Sequence, residues 1–97
     1  MTMQFTTFRE AIAALSLASL YVGPEGGMHH AAAAVGIRAV VLMGGFIPPE
    51  VVGYEGHINF TDGAKACGSI YACRHCREVM DGISVDRVFE AAKAQLA

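Results

Sequence analysis

Residues 20–43 read LYVGPEGGMHHAAAAVGIRAVVLM, and the reading of this stretch decides the fold. Leu20-Tyr21-Val22 is a short apolar run suited to a buried strand, and Gly23-Pro24 stops it. Gly23-Pro24-Glu25-Gly26-Gly27 continues neither strand nor helix and is expected as a tight loop. From Met28 to Val35 the alanines favour helix, and Gly36 supplies a left-handed stop. Ala39-Val40-Val41-Leu42-Met43 runs without polar alternation, as expected of a strand covered on both faces in a parallel sheet. Strand, loop, helix and strand in this order imply a right-handed βαβ unit.

Working outward, residues 7–18 read as an amphipathic helix whose face is Phe8, Ala11, Ile12, Leu15 and Ala18. Thr7 followed by Glu10 fits a capping box at its start. On the other side, Gly44-Gly45 ends the second strand and residues 44–56 form a loop rich in Gly and Pro. His57 to Phe60 is expected as one more short strand. Asp62 to Gly82 reads as irregular and holds all three cysteines. Ser84 caps a final helix with Val85, Val88, Phe89, Ala92 and Leu96 on one apolar face. The expected class is α/β: a partial Rossmann-like βαβ three-layer arrangement with a short parallel sheet, one domain over residues 1–97.

Bulk composition narrows the function classes. With 54% hydrophobic and 16% charged residues, the 97-residue chain has the makeup of a packed domain rather than a disordered one. The apolar fraction is high for this length, which points to an oligomer interface or to a missing partner domain. Seven basic and nine acidic residues give a net charge of −2 with no basic run, so nucleic acid is not an expected partner. No stretch reaches the roughly 18 uninterrupted apolar residues of a membrane span. Residues 11–22 imitate the apolar part of a signal peptide, but Arg9 and Glu10 adjoin it and no Ala-x-Ala site closes it. Three cysteines cannot all pair within one chain, and a reducing cytoplasm is the expected compartment.

A strand running into a glycine-rich turn and then a helix is suited to anions. The first N–H groups of the helix lack internal partners, and the helix dipole adds a partial positive charge. Gly26 and Gly27 would let a diphosphate approach the backbone. Glu25 is ill placed against phosphate, but its two oxygens suit ribose or sugar hydroxyls. His29 and His30 fall in the first helical turn, where either can donate to a phosphate or a leaving-group oxygen. The G-x-G-x-x-G spacing of dinucleotide folds and the P-loop lysine are both missing, so a plain tight turn with two incidental histidines fits the spacing as well. Tyr21 and Tyr54 are read first as packing residues and second as the lining of a base or sugar pocket.

Residues 23–45, GPEGGMHHAAAAVGIRAVVLMGG, followed by PPEVVGY, resemble the C-terminal domain of the heptosyltransferase-like enzymes, glycosyltransferase family nine. The family pattern is a strand, Gly-x-Asp-x-Gly-x-x-His-x-x-Ala-Ala, a second strand and a Gly/Pro loop. Gly23, Glu25, Gly27, His30, Ala33 and Ala34 fill its first part, and Gly44, Gly45, Pro49 and Glu50 its second. The resemblance spans roughly residues 8–96. It implies half of the C-terminal domain of a GT-B fold, with Gly23, Glu25, Gly26, Gly27, His29, His30, Gly44 and Gly45 around the diphosphate and sugar of a nucleotide-sugar donor. The family's Asp stands here as Glu25, one methylene longer. The resemblance also implies that the acceptor domain and the first part of the donor domain lie outside this chain, so catalysis by it alone is not expected and no residue is assigned a catalytic role. The expected partners are a nucleotide diphosphate or nucleotide sugar, and either a second copy or an acceptor-domain chain. An oligomeric interaction module that keeps the half-Rossmann fold is the alternative.

Cys67-x5-Cys73-x2-Cys76, with His57 upstream and His75 inside the CxxC, offers a second chemistry. Three thiolates and the His57 imidazole would complete a tetrahedral structural zinc site. A Cys73–Cys76 or Cys67–Cys73 disulfide, or thiols without a partner, are the other readings. No cofactor is required by the fold. Five methionines read as packing residues, and Asp62, Glu78 and Asp81 as solvated loop charges.

Overall fold

In the computed structural model of the chain the described residues are 4–43, 53–61 and 74–96. Among them, strands β1 (Tyr21–Pro24), β2 (Ala39–Leu42) and β3 (His57–Phe60) form a parallel sheet in the order β1-β2-β3. Helices α1 (Phe8–Leu15) and α2 (Gly27–Ala34) lie on one side of the sheet, and α4 (Val85–Leu96) on the other, with α3 (Arg74–Asp81) preceding α4. The α/β class and the partial Rossmann-like βαβ order expected from the sequence are what the chain adopts.

The register sets Tyr21, Ala39 and His57 side by side, and Val22, Val40 and Ile58 one step along. Strand side chains alternate between faces. Tyr21, Gly23, Ala39, Val41, His57 and Asn59 therefore look toward α2, and Val22, Val40, Leu42, Ile58 and Phe60 toward α4. Ala39, Val40 and Val41 are all fully buried, so β2 is covered on both faces. Ala31 and Ala32 of α2 are buried beside Leu15 of α1, and Tyr21, Met28, Val35 and Ile37 pack around them. A row of methyl groups leaves room for α2 to lie close on the sheet.

Local sequence explains the ends. Gly36 takes φ 77°, and the N–H groups of Gly36 and Ile37 bond to the carbonyls of Ala33 and Ala32 at 3.1 and 2.8 Å. This double closure is the Schellman stop. The hydroxyl of Thr7 accepts from the N–H of Glu10 at 3.1 Å, half of the expected capping box. The Glu10 carboxylate completes it one residue early, on the N–H and hydroxyl of Thr6 rather than on Thr7.

Three expectations need correction. Helix α1 ends at Leu15, where Ser16 bonds its hydroxyl to the Ala13 carbonyl, rather than at residue 18. The expected loop from Gly23 to Gly27 shrinks to Glu25 and Gly26, because β1 runs on through Pro24. Pro24 is tolerated at the last position of a strand that, among the described residues, pairs on one side only, and the ladder resumes with Glu25 N–H to the Leu42 carbonyl at 3.3 Å. The third concerns Asp62 to Gly82, which is not wholly irregular: residues 74–81 form α3. Its charges are helical, and Arg74 pairs with Glu78 at 3.1 Å one turn away.

Candidate site at the β1–α2 turn

The turn between β1 and α2 opens at the carboxyl end of the sheet, where open α/β folds place their ligands. Gly26 has φ 155° and ψ −166°, a region that only glycine enters at low cost, so this position is dictated by the backbone. A β-carbon there would meet nothing within 4 Å. Gly27 begins α2, and its side-chain direction points at the Phe8 ring 3.5 Å away. Gly23 does not present an open face. A β-carbon on it would stand 2.5 Å from the Tyr21 hydroxyl oxygen, because Tyr21 folds over it and donates to the Pro24 carbonyl at 3.0 Å. Gly23 makes room for a tyrosine ring on the inner face. Burial raises the pKa of the Tyr21 phenol, in keeping with its donor role.

The two histidines have separate tasks. His29 is fully buried, and its Nδ1 accepts from the N–H of Gly26 at 2.9 Å. The ring thereby caps its own helix, as a Glu or Gln does at the third helical position. The Gly26 carbonyl in turn accepts from the N–H groups of His29 and His30 at 3.1 and 3.3 Å. The N–H groups of Gly27 and Met28 pair with nothing among the described residues. They are the free donors of the helix start.

His30 is partly exposed. Its Nδ1 lies 2.6 Å from the Tyr54 hydroxyl, and its Nε2 lies 3.8 Å from a Glu25 carboxylate oxygen. Glu25, His29 and His30 each bring one metal-ligand atom within 4.8 Å of the others. The His29 and His30 rings are 4.1 Å apart, and Tyr54 stands edge-on to both at 5.6 and 5.5 Å. His57 joins them, 5.5 Å from Tyr54 and 6.4 Å from His29.

His57 donates from Nε2 to the Ile37 carbonyl at 3.2 Å, which leaves Nδ1 as a buried acceptor without a partner. The Asn59 side-chain oxygen, two residues along the same face, is in the same state. Desolvation lowers the pKa of His57, the bond to Ile37 opposes this, and His29 adds to the lowering.

Of the residues singled out in the sequence, Glu25, Gly26, Gly27, His29 and His30 converge at this turn. Gly23 adjoins it from within the strand. Gly44, Gly45, Pro49 and Glu50 lie outside the described residues, as do Cys67, Cys73 and Asp62. Cys76 is half-buried on α3, and the His57 ring stands 5.5 Å from that of Tyr54. Tyr21 is a packing residue, as first read. Tyr54 is not: it is exposed enough to reach solvent and bonds to His30. Nothing local in the sequence announces that pair, 24 residues apart.

No helix among the described residues is long and apolar enough to cross a membrane. Comparison of the chain with known protein families, with curated proteins and with solved structures finds no match.

Proposed function

We propose that this chain is a nucleotide-diphosphate or nucleotide-sugar binding subdomain of the heptosyltransferase-like kind, with its ligand at the turn from Glu25 to His30. The observation that carries the reading is the pair of N–H groups on Gly27 and Met28, which bond to nothing among the described residues, at the start of α2 and at the carboxyl end of a parallel strand. Such donors, with the helix dipole behind them, suit a phosphate. Gly26 leaves the approach clear. Glu25 and His30 flank it with an acceptor and an imidazole, suited to sugar hydroxyls and to a bridging oxygen. Catalysis of transfer is not part of the proposal.

The test is a two-dimensional NMR titration of labelled protein with ADP, UDP, GDP and a nucleotide sugar. Saturable shifts centred on Glu25 to His30 are expected, and a silent spectrum at millimolar ligand overturns the reading. Gly27→Pro sharpens it. Proline is favoured at the first helical position and removes one N–H without disturbing the helix. A hydrogen bond to a charged group contributes about 1.5–3 kcal/mol, so diphosphate affinity should fall roughly tenfold or more.

A second reading, an oligomeric interaction module, is favoured by Val85, Phe89 and Leu96, which stand exposed on α4. A silent ligand titration together with a mass by light scattering that rises with concentration would select it.

A further inference from the structure

Helix α4 carries two apolar rows, and the fold buries only one of them. Val88, Ala91 and Gln95 are half-buried on the side that meets the sheet, where Gln95 donates to the Ala39 carbonyl at 3.0 Å. The second row is Val85, Phe89, Ala92 and Leu96, spaced 4-3-4 along the helix. That spacing is the seam of a two-stranded coiled coil. Val85, Phe89 and Leu96 remain 84%, 59% and 58% exposed. The row also borders the open cavity of about 410 Å³, whose opposite wall includes Val22 and Met80, both themselves exposed. An apolar row beside an apolar hollow is the setting of a second helix.

We propose that this row is a self-association surface, on which α4 of a second copy lies antiparallel to the first about a two-fold axis. Charge selects both the occupant and its direction. Asp86 and Lys93 stand one heptad apart, each one residue after a seam residue, so they flank the seam on the same side. Antiparallel helices bring this flank of one against the same flank of the other. The two-fold then sets Asp86 of each copy against the partner's Lys93, and the contact occurs twice. Parallel helices would set the flank against the opposite one, Val88 and Gln95, where neither residue is charged.

Both charges are available for the contact. Asp86 makes no ion pair among the described residues. Lys93 meets Glu90 at 3.1 Å on the open surface, a pair of small worth that can be exchanged. Its ammonium also lies 5.0 Å from the centre of the Phe89 ring, which places the cation at the rim of the seam. The inference gives the interaction-module reading its partner and rests on the exposed face of α4 which that reading uses. It holds with or without a ligand at the turn.

The experiment is sedimentation of the full chain at rising concentration, under a reductant that keeps Cys67, Cys73 and Cys76 from cross-linking copies. A shift from monomer to dimer is expected. Phe89→Glu should weaken the dimer at least about tenfold, as loss of a central aromatic anchor does. Asp86→Lys and Lys93→Asp should each weaken it roughly tenfold, because each turns two attractions into two repulsions. An equal mixture of these two variants should form a mixed dimer more tightly than either variant pairs with itself. The double variant Asp86→Lys with Lys93→Asp should regain most of the native affinity. A chain that stays monomeric throughout overturns the proposal and assigns the row to an occupant other than a second copy. A dimer that survives Phe89→Glu overturns this surface while leaving the interaction-module reading in place. Charge reversals without effect, or variants that do not rescue each other on mixing, overturn the antiparallel pairing.

Discussion

The two faces of the sheet are built on different rules. On the α2 face, small residues and polar groups share the space. Ala31, Ala32, Ala39 and Val41 are buried, and His29 lies among them with its acceptor used by a backbone N–H. On the α4 face the residues are larger and the fit is looser. A cavity of about 410 Å³ lies between Val22 and Leu42 of the sheet and Ile83, Val88, Phe89 and Ala92 on the helical side. Methyl groups of α2 pack on one face of the sheet, whereas on the other face an open apolar pocket remains between part of α4 and strands β1 and β2. Precision sits on the side that carries the candidate site.

Enlarging one alanine on each face is the strongest way to break this contrast. Ala32→Leu forces three extra carbons into a filled space and should cost about 3 kcal/mol, read as a lower midpoint in urea. Ala92→Leu, facing the cavity, should be neutral or stabilising by up to about 1 kcal/mol. Equal penalties would mean that the two faces are packed alike. Truncation comes next: Val41→Ala should cost about 2–3 kcal/mol and Val22→Ala, half exposed, under about 1 kcal/mol. Thermal unfolding followed by circular dichroism is sufficient to separate them.

A third pair addresses the neighbouring histidines. His29→Ala removes a buried ring and a helix cap and should cost about 2 kcal/mol. His30→Ala should cost under about 0.5 kcal/mol, since its ring is partly exposed, while still weakening ligand binding. If both substitutions destabilise equally, the division of labour between the two rings is wrong.

The smallest effect expected is one of pH. Burial lowers the pKa of His57 in the folded chain, so below about pH 6.5 the unfolded chain takes up more protons than the folded one. The stability due to neutral His57 is therefore complete above that pH and is lost as the pH falls from there toward the lowered folded value. Denaturant midpoints between pH 7 and pH 5 should decline less in His57→Gln than in the native chain.

Much of the fold was legible because it follows from local rules. The apolar run at 39–43, the alanines before Gly36 and the capping pair at Thr7 and Glu10 act within a few residues of themselves. Helix α3 escaped because residues 62–82, with their three cysteines, read as irregular. Its signal was Arg74 and Glu78, four apart on an exposed face. The turn was found as a place, and its inner wiring was not.

By itself the sequence determined the α/β class, the order of the three strands and of helices α1, α2 and α4 among them, and the turn in which Glu25, His29 and His30 meet. Tertiary structure alone decided that His29 turns inward to cap Gly26 while His30 turns outward to Tyr54, and that Tyr21 occupies the space above Gly23. It alone brought His57 to the same group. The reason is physical. Helix and strand periods depend on neighbours in the chain, but the partner of a side chain depends on strand register and loop path, which set distances between residues far apart in sequence.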